Sequence, residues 1–218
     1  SRNKTKIIGI LKMCIKAYKS NNPVVYCLDS KRLRVMVFLQ RMFKKSFANT
    51  TILVIGGIFH ETVAEHPAFE KCMNGVWVET EGMKENLLKS GFENVEIFPN
   101  PKSQIGNCYP QNAQKNKELK LVYFSQISRE KGVEEIIKLV GLLNNKTEIS
   151  LDFYGHIVPE VKDEFDKFIN NSLNVNYCGI FDSTKSSVYK KLNEYDILLF
   201  PTRWKGEGVP GILVEAKM

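Results

Sequence analysis

The chain has 218 residues, 43% of them hydrophobic, so it can bury one large core or two smaller ones. Its formal net charge of +7 originates in the first part of the chain, where residues 1–45 hold twelve lysines and arginines against one acid, Asp29. Five scattered cysteines without a CxxC pair argue against a disulfide framework or a zinc site, and no apolar run approaches the roughly 20 residues that cross a bilayer. We therefore expect a globular cytoplasmic protein.

Strands and helices alternate along the first hundred residues, which is typical of a parallel α/β fold. Apolar runs predict strands at residues 24–28, 51–55, 75–79 and 95–98. Helices are predicted at the basic stretches 7–19 and 31–45, and Thr80 is predicted to cap a further helix. A polar, proline-bearing stretch then predicts a linker at residues 101–118, after an N-terminal domain of residues 1–100.

The basic N-terminal stretches have three interpretations. They form a solvated helix face, they are attracted to an anionic membrane surface or a lipid phosphate, or they bind nucleic acid. Because the sequence contains no recognised nucleic-acid motif, we expect no nucleic-acid partner. Peripheral association with the inner face of a membrane stays open beside the solvated face.

The alternation restarts in a C-terminal domain, predicted at residues 119–218. Strands are predicted at residues 119–124, 149–155, 175–179 and 195–200, with helices beyond Gly132 and at residues 159–172 and 183–194. The expected fold class is therefore α/β with two Rossmann-like domains. In such sheets ligands bind outside the carboxyl ends of the strands, where Ser125 and the loop around Gly206 and Gly208 are expected.

The last eighteen residues place two carboxylates, Glu207 and Glu215, on either side of a strand-to-helix turn rich in glycine. A helix is predicted to begin near Pro210, and the unpaired N–H groups of its first turn could hold a phosphate. Carboxylates only accept hydrogen bonds, so beside an anion site they suit sugar hydroxyl groups better than the phosphate itself. The pattern predicts a ligand that carries both sugar and phosphate.

Residues 75–218 resemble the core of a retaining glycosyltransferase of GT-B fold, from family 4, the glycosyl transferases group 1 type. Three segments carry the resemblance in the expected order: residues 75–101, the turn Phe124–Gly132, and Glu207 with Glu215 at the two ends of the family's Glu-x7-Glu signature. The resemblance implies transfer of a sugar from a nucleotide diphosphate donor to an acceptor hydroxyl, in polysaccharide or glycoconjugate biosynthesis. The implied partners are a nucleotide-sugar donor and a saccharide or lipid-linked acceptor.

The resemblance also implies a role for individual residues. Glu215 would accept hydrogen bonds from the donor ribose, Glu207 would hold the donor sugar, and Lys131 would neutralise the diphosphate. His60 is the candidate for a histidine close to the reacting sugar. The catalytic candidates are therefore Glu207, Lys131 and His60, and the donor-binding candidates are Glu215, Gly208, Val209, Pro210, Ser125, Gln126 and Arg129.

One position departs from the family. Gln126 stands where the family usually has an arginine, five residues before the lysine, and Arg129 could contact the same phosphates from another point of the turn. Family members usually need no divalent ion, and the sequence has no DxD pair to hold one, so we expect neither a metal nor another cofactor.

Two alternatives stay open. The chain could be a non-catalytic homologue that keeps the fold as a binding module, or another enzyme of GT-B fold such as a nucleotide-sugar epimerase. Because the sequence starts without the family's first strand and stops within the signature helix, we expect a fold truncated at both ends. A truncated chain could itself be inactive.

Overall fold

The computed structural model forms two compact units, Ser1–Pro101 with Lys205–Pro210 and Lys102–Trp204 with Gly211–Met218, called here the first and the second unit. Described residues are 8–9, 11–12, 15–16, 19–27, 30–43, 47–56, 59–100, 102, 118–143 and 148–218. Of the predicted linker, only Lys102 and Glu118 lie within these ranges.

The first unit contains a four-stranded sheet in which all neighbouring strands are parallel. Its strands are β1 (Val24–Cys27), β2 (Phe47–Val54), β3 (Met73–Val78) and β4 (Val95–Ile97), arranged in the order β1-β2-β3-β4. The helices are α1 (Ser30–Phe43), α2 (Phe59–Ala64) and α3 (Glu81–Lys89), with a 3-10 helix at Pro67–Cys72. The described residues of the stretch 7–19 are helical.

Apolar side chains of this sheet and its helices form the first core. Ile52 and Val54 of β2, Val76 and Val78 of β3, and Leu87 of α3 are fully buried. Helix α3 starts where the sequence predicts it, because the Thr80 side chain accepts a hydrogen bond from the N–H of Met83. The predicted cap is thus confirmed.

The second unit has a four-stranded parallel sheet in the order β7-β6-β5-β8. Its strands are β5 (Leu119–Phe124), β6 (Ile149–Tyr154), β7 (Val175–Tyr177) and β8 (Ile197–Leu199). Its helices are α4 (Val133–Leu142), α5 (Lys162–Asn170), α6 (Val188–Leu192) and α7 (Gly211–Lys217), with a 3-10 helix at Pro159–Val161. The alternation of parallel strands and helices confirms the predicted α/β fold class.

Aromatic rings fill the second core. Phe153 of β6 lies with its ring centroid 5.2 Å from that of Tyr123 on β5 and 5.0 Å from that of Phe165 on α5. All three side chains are almost completely buried, and Ile136 of α4 packs in the same cluster. Such tilted and edge-to-face contacts stabilise the packing beyond the area that the rings bury.

One predicted helix is much shorter than expected. The helix predicted at residues 183–194 covers only Val188–Leu192, because Asp182 forms a side-chain turn. Its carboxylate accepts hydrogen bonds from the hydroxyl and the N–H of Thr184, and the hydroxyl bond above all lowers the pKa of Asp182 below its usual value. Such local bonds compete with helix formation, so the helix begins later.

In the described ranges of the chain, none of the helices is long and apolar enough to span a membrane.

Gly132 fixes the entry into α4, and we predict that Gly132→Ala will lower the free energy of unfolding by about 2–4 kcal/mol. Its φ of +80° favours glycine, and an added Cβ would overlap the carbonyl of Pro201. Chemical denaturation of the purified chain measures the change.

Gly141→Ala is the matched control, because Gly141 lies inside α4 and its Cβ would meet open space. This variant should raise the free energy of unfolding by about 0.5–1 kcal/mol. Equal stability of the two variants would contradict the close packing at Gly132.

Candidate functional site

The second sheet has a topological switch point between β5 and β8. The chain runs from β5 outward through β6 to β7, and then returns to the other side of β5 to form β8. In open parallel sheets ligands bind at such a point, outside the carboxyl ends of the strands. Two segments leave the sheet there: the turn Ser125–Gly132, called here the β5 turn, and the segment Phe200–Trp204, called the β8 segment.

The β5 turn is held by bonds from its own neighbourhood. The hydroxyl of Tyr123, whose side chain is buried beneath the turn, lies 2.7 Å from the carbonyl oxygen of Gln126 and 3.2 Å from that of Lys131. Burial raises the pKa of Tyr123, so its hydroxyl stays protonated and can donate. The Ser128 hydroxyl also accepts a hydrogen bond from the N–H of Lys131.

The β8 segment is bonded to the β5 turn. The N–H of Arg203 donates to the carbonyl of Glu130 over 2.8 Å, and the Arg203 guanidinium pairs with Glu135 of α4 at 2.7 Å. Gly132 lies so close to the Pro201 carbonyl that no side chain fits between them. The turn and the segment therefore form one packed structure.

Lys131 lies over an aromatic ring of the β8 segment. Its Nζ is 4.4 Å from the ring centroid of Trp204 and 6.0 Å from that of Phe200. The shorter distance lies within the range of cation–π attraction, and tryptophan is the strongest partner for a cation. The sequence predicted Lys131 as a candidate but did not predict this contact.

The other candidates of the β5 turn have different surroundings. Ser125 is half-buried, and its N–H donates to the Tyr154 carbonyl, whereas Gln126 is exposed. The guanidinium of Arg129 pairs with Glu134 of α4 at 3.3 Å and with Glu164 of α5 at 3.6 Å. A phosphate contact by Arg129 stays a prediction, and it would compete with both pairs.

Glu215 of α7 forms a half-buried ion pair that the sequence did not predict. Its Oε1 accepts a hydrogen bond from Nζ of Lys102 over 2.7 Å, and only 17% of the Glu215 side chain is exposed. The two residues are separated by 113 positions in the sequence, so no local pattern could reveal the pair. Lys102 is thus a contact of a predicted site residue that sequence analysis missed.

Within the first unit, a buried carboxylate holds the loop Lys205–Pro210, which contains Glu207. Oε2 of Glu79 accepts hydrogen bonds from the N–H of Gly56 at 2.9 Å and from that of Val209 at 3.4 Å. Glu79 is only 5% exposed, and a Cβ on Gly208 would overlap its carboxylate. Glu79 follows β3 directly, and its position at a strand's carboxyl end was the only sequence signal for this role.

His60 lies in helix α2 of the first unit. Its Nδ1 is buried and has no hydrogen-bond partner among the residues that the structure describes. A buried polar atom without a partner is uncommon in native proteins. The catalytic role of His60 stays a prediction.

The predicted candidates thus fall into two groups. The second unit contains Lys131, Ser125, Gln126, Arg129 and Glu215, and the first unit contains His60, Glu207, Gly208, Val209 and Pro210. Their roles toward a ligand stay predictions.

A family model described as glycosyl transferases group 1 matches residues 108–218, just over half of the chain. No curated protein matches the sequence.

Solved structures share the fold at low sequence identity. A variant of TarM from S. aureus, in complex with fondaparinux, α-GlcNAc-glycerol and UDP, is 20% identical with a TM-score of 0.61, over 82% of this chain and 37% of that chain. The lipopolysaccharide outer core galactosyltransferase WaaB is 17% identical with a TM-score of 0.65, over 95% and 57%. HepE from Anabaena, with UDP and glucose, is 12% identical with a TM-score of 0.64, over 95% and 59%.

These likenesses confirm the predicted GT-B fold class. The chain spans 37%, 57% and 59% of the length of these three structures.

We predict that Lys102→Met will lower the free energy of unfolding by about 1–2 kcal/mol, because it leaves the half-buried Glu215 carboxylate without its cation. Thermal or chemical denaturation of the purified chain measures the change.

Lys89→Met provides the control, since Lys89 pairs with Glu85 on the exposed surface of α3. Its effect should stay within about 0.5 kcal/mol. If both substitutions had the same small effect, the Lys102–Glu215 pair would make no special contribution.

Proposed function

Since this chain belongs to the glycosyl transferases group 1 family, we propose that its protein transfers a sugar from a nucleotide diphosphate donor to an acceptor hydroxyl with retention of configuration. The bond between the anomeric carbon and the donor phosphate oxygen breaks, and the acceptor hydroxyl oxygen bonds to that carbon. The proton of the acceptor hydroxyl leaves toward the released nucleoside diphosphate. We place this reaction in polysaccharide or glycoconjugate biosynthesis.

The observation that carries the proposal is the position of Lys131 on the β5 turn, at the switch point of the second sheet. Negative charge grows on the nucleoside diphosphate as the glycosidic bond breaks, and a nearby ammonium stabilises that charge. Backbone N–H groups at the start of a helix act in the same direction. We propose that these groups, rather than a metal ion, neutralise the leaving group.

The two carboxylates of the signature receive the hydroxyl groups of the donor. Glu215 accepts from the ribose and Glu207 from the sugar, since a carboxylate only accepts hydrogen bonds. Lys102 fixes Oε1 of Glu215 and so sets the direction of its remaining lone pairs. His60 is proposed to lie beside the reacting sugar. This proposal is supported by its buried Nδ1, which has no hydrogen-bond partner among the described residues.

The choice of donor to test first follows from the similar structures. TarM and HepE were solved with UDP, so a UDP-sugar is the first candidate donor. WaaB is a galactosyltransferase of lipopolysaccharide, and this supports a saccharide or a lipid-linked saccharide as the acceptor class.

We predict that the full-length protein binds UDP or another nucleoside diphosphate and that Lys131→Met weakens this binding about 10- to 100-fold. A charge-assisted hydrogen bond contributes about 1.5–3 kcal/mol, which corresponds to that range. Calorimetric titration measures the affinity, and NMR of the transfer product with a matching donor shows whether the anomeric configuration is retained.

Lys138→Met is the matched control, because Lys138 is exposed and lies on α4, away from the β5 turn. Unchanged affinity in Lys131→Met would refute the assigned role of Lys131. Donor binding without turnover would favour the non-catalytic module, and release of an epimerised nucleotide sugar would favour the epimerase.

We propose in addition that the first unit associates peripherally with an anionic membrane. Helix α1 exposes Phe38 by 59% and Met42 by 58%, and Arg34 and Arg41 of the same helix are also exposed. Apolar side chains flanked by cations suit the boundary between anionic headgroups and acyl chains. The twelve cations against one acid in residues 1–45 extend this charge.

The double substitution Phe38→Ser with Met42→Ser should reduce binding to vesicles that contain anionic lipid at least about 10-fold, because it removes the two apolar anchors. Vesicle sedimentation measures the bound fraction.

Leu142→Ser is the control, since Leu142 is 80% exposed but lies on α4 of the second unit. Absence of binding by the parent chain would leave the solvated helix face as the explanation, and equal binding to neutral and anionic vesicles would refute the role of anionic headgroups.

A further inference from the structure

The contact between Lys131 and Trp204 combines two side chains whose surroundings differ. Lys131 is partly buried, whereas 43% of Trp204 is exposed. The ammonium lies 4.4 Å from the indole centroid, so the ring covers one side of the cation. Trp204 precedes Glu207 of the signature by three positions.

The backbone on both sides of this contact is fixed. On the lysine side, the Lys131 N–H donates to the Ser128 hydroxyl, and its carbonyl lies 3.2 Å from the Tyr123 hydroxyl. On the tryptophan side, the N–H of Arg203 donates to the Glu130 carbonyl over 2.8 Å. The Trp204 N–H lies 3.4 Å from the Thr202 hydroxyl, to which it donates. The side chains of Trp204 and Lys131 thus extend from two backbone segments that are hydrogen-bonded to each other.

We propose that Trp204 is a positioning residue for Lys131, which it holds ready at the carboxyl end of β5 to receive a diphosphate. The inference rests on the proposed function. A lysine side chain has a flexible stem of four carbons, and it loses much conformational freedom when its ammonium is fixed on a phosphate. The indole removes part of that freedom before the ligand arrives, and preorganisation of this kind increases affinity.

The geometry of the contact is compatible with phosphate binding. An ammonium group has three N–H donors, and the attraction to the ring acts through the face of the cation that lies against it. The aromatic face carries no net charge, so the contact with the indole does not itself neutralise the ammonium.

Substitution of Trp204 tests this role. The affinity for UDP is measured in the full-length protein and in its variants. Trp204→Leu should weaken binding about 5- to 30-fold, the range of a cation–π contact from exposed to partly desolvated. Trp204→Phe keeps an aromatic face and should retain most of the affinity. In a Lys131→Met background, Trp204→Leu should change the affinity by less than about 2-fold, because the cation is already absent.

A second measurement needs no ligand. In the free protein, the ring current of Trp204 should shift the Lys131 side-chain methylene resonances upfield, and Trp204→Leu should remove the shift. The control for the loss of a tryptophan is Trp77→Phe, because Trp77 stacks on Phe98 in the first unit.

The outcomes separate this inference from the proposed function. Absence of nucleoside diphosphate binding by the parent protein would refute the proposed function and this inference with it. Weaker binding in Lys131→Met but unchanged binding in Trp204→Leu would refute only the positioning role. Tighter binding in Trp204→Leu would show that the ring competes with the phosphate, and an equal loss in the Lys131→Met background would show a purely structural role; both would overturn the inference.

Discussion

The β5 turn keeps its shape because the β8 segment is bonded to it, and β8 itself pairs with β5. The register that sets Tyr123 opposite Leu199 brings the ends of both strands together, and the hydrogen bond from Arg203 to Glu130 continues the connection beyond the sheet. Backbone bonds do not depend on side-chain charge. The placement of the Lys131 backbone therefore follows from strand pairing and backbone hydrogen bonds rather than from side-chain ion pairs.

Ion pairs join Arg129 and Arg203, which lie at the β5 turn and in the β8 segment, to helix α4. Helix α4 carries Glu134 and Glu135 in its first turn, where carboxylates interact favourably with the helix dipole. Arg129 pairs with Glu134, and Arg203 pairs with both carboxylates. With a neutral glutamine at position 126, compensation of a diphosphate at this turn depends mainly on Lys131 under the proposed function. A contact that orients Lys131 should then contribute more to diphosphate affinity than it would in a turn with a second cation for the phosphate.

Sequence patterns predicted the elements of the core well and local exceptions less well. The strand Leu119–Phe124 lies where it was predicted, because its residues 121–124 form the apolar run that is typical of a buried parallel strand. The helix predicted at residues 183–194 was too long, since the apolar spacing gave no sign that Asp182 would bond Thr184. The chain order of strands and helices also indicated two parallel sheets, but not the neighbours of a given side chain.

Two carboxylates, Glu79 and Glu215, show why the side-chain contacts of the candidate site could not be predicted from the sequence. Glu79 and Glu215 are chemically alike in the sequence, yet the fold gives Glu79 two backbone N–H donors and gives Glu215 the ammonium of Lys102. The first arrangement holds a loop, and the second holds the carboxylate itself in one orientation. A ribose that binds Glu215 must use lone pairs that Lys102 leaves available, because a carboxylate has about four acceptor sites. Under the proposed function, the acceptor sites that Glu215 offers to a ribose are therefore limited by a lysine 113 positions away, a contact that only the folded chain reveals.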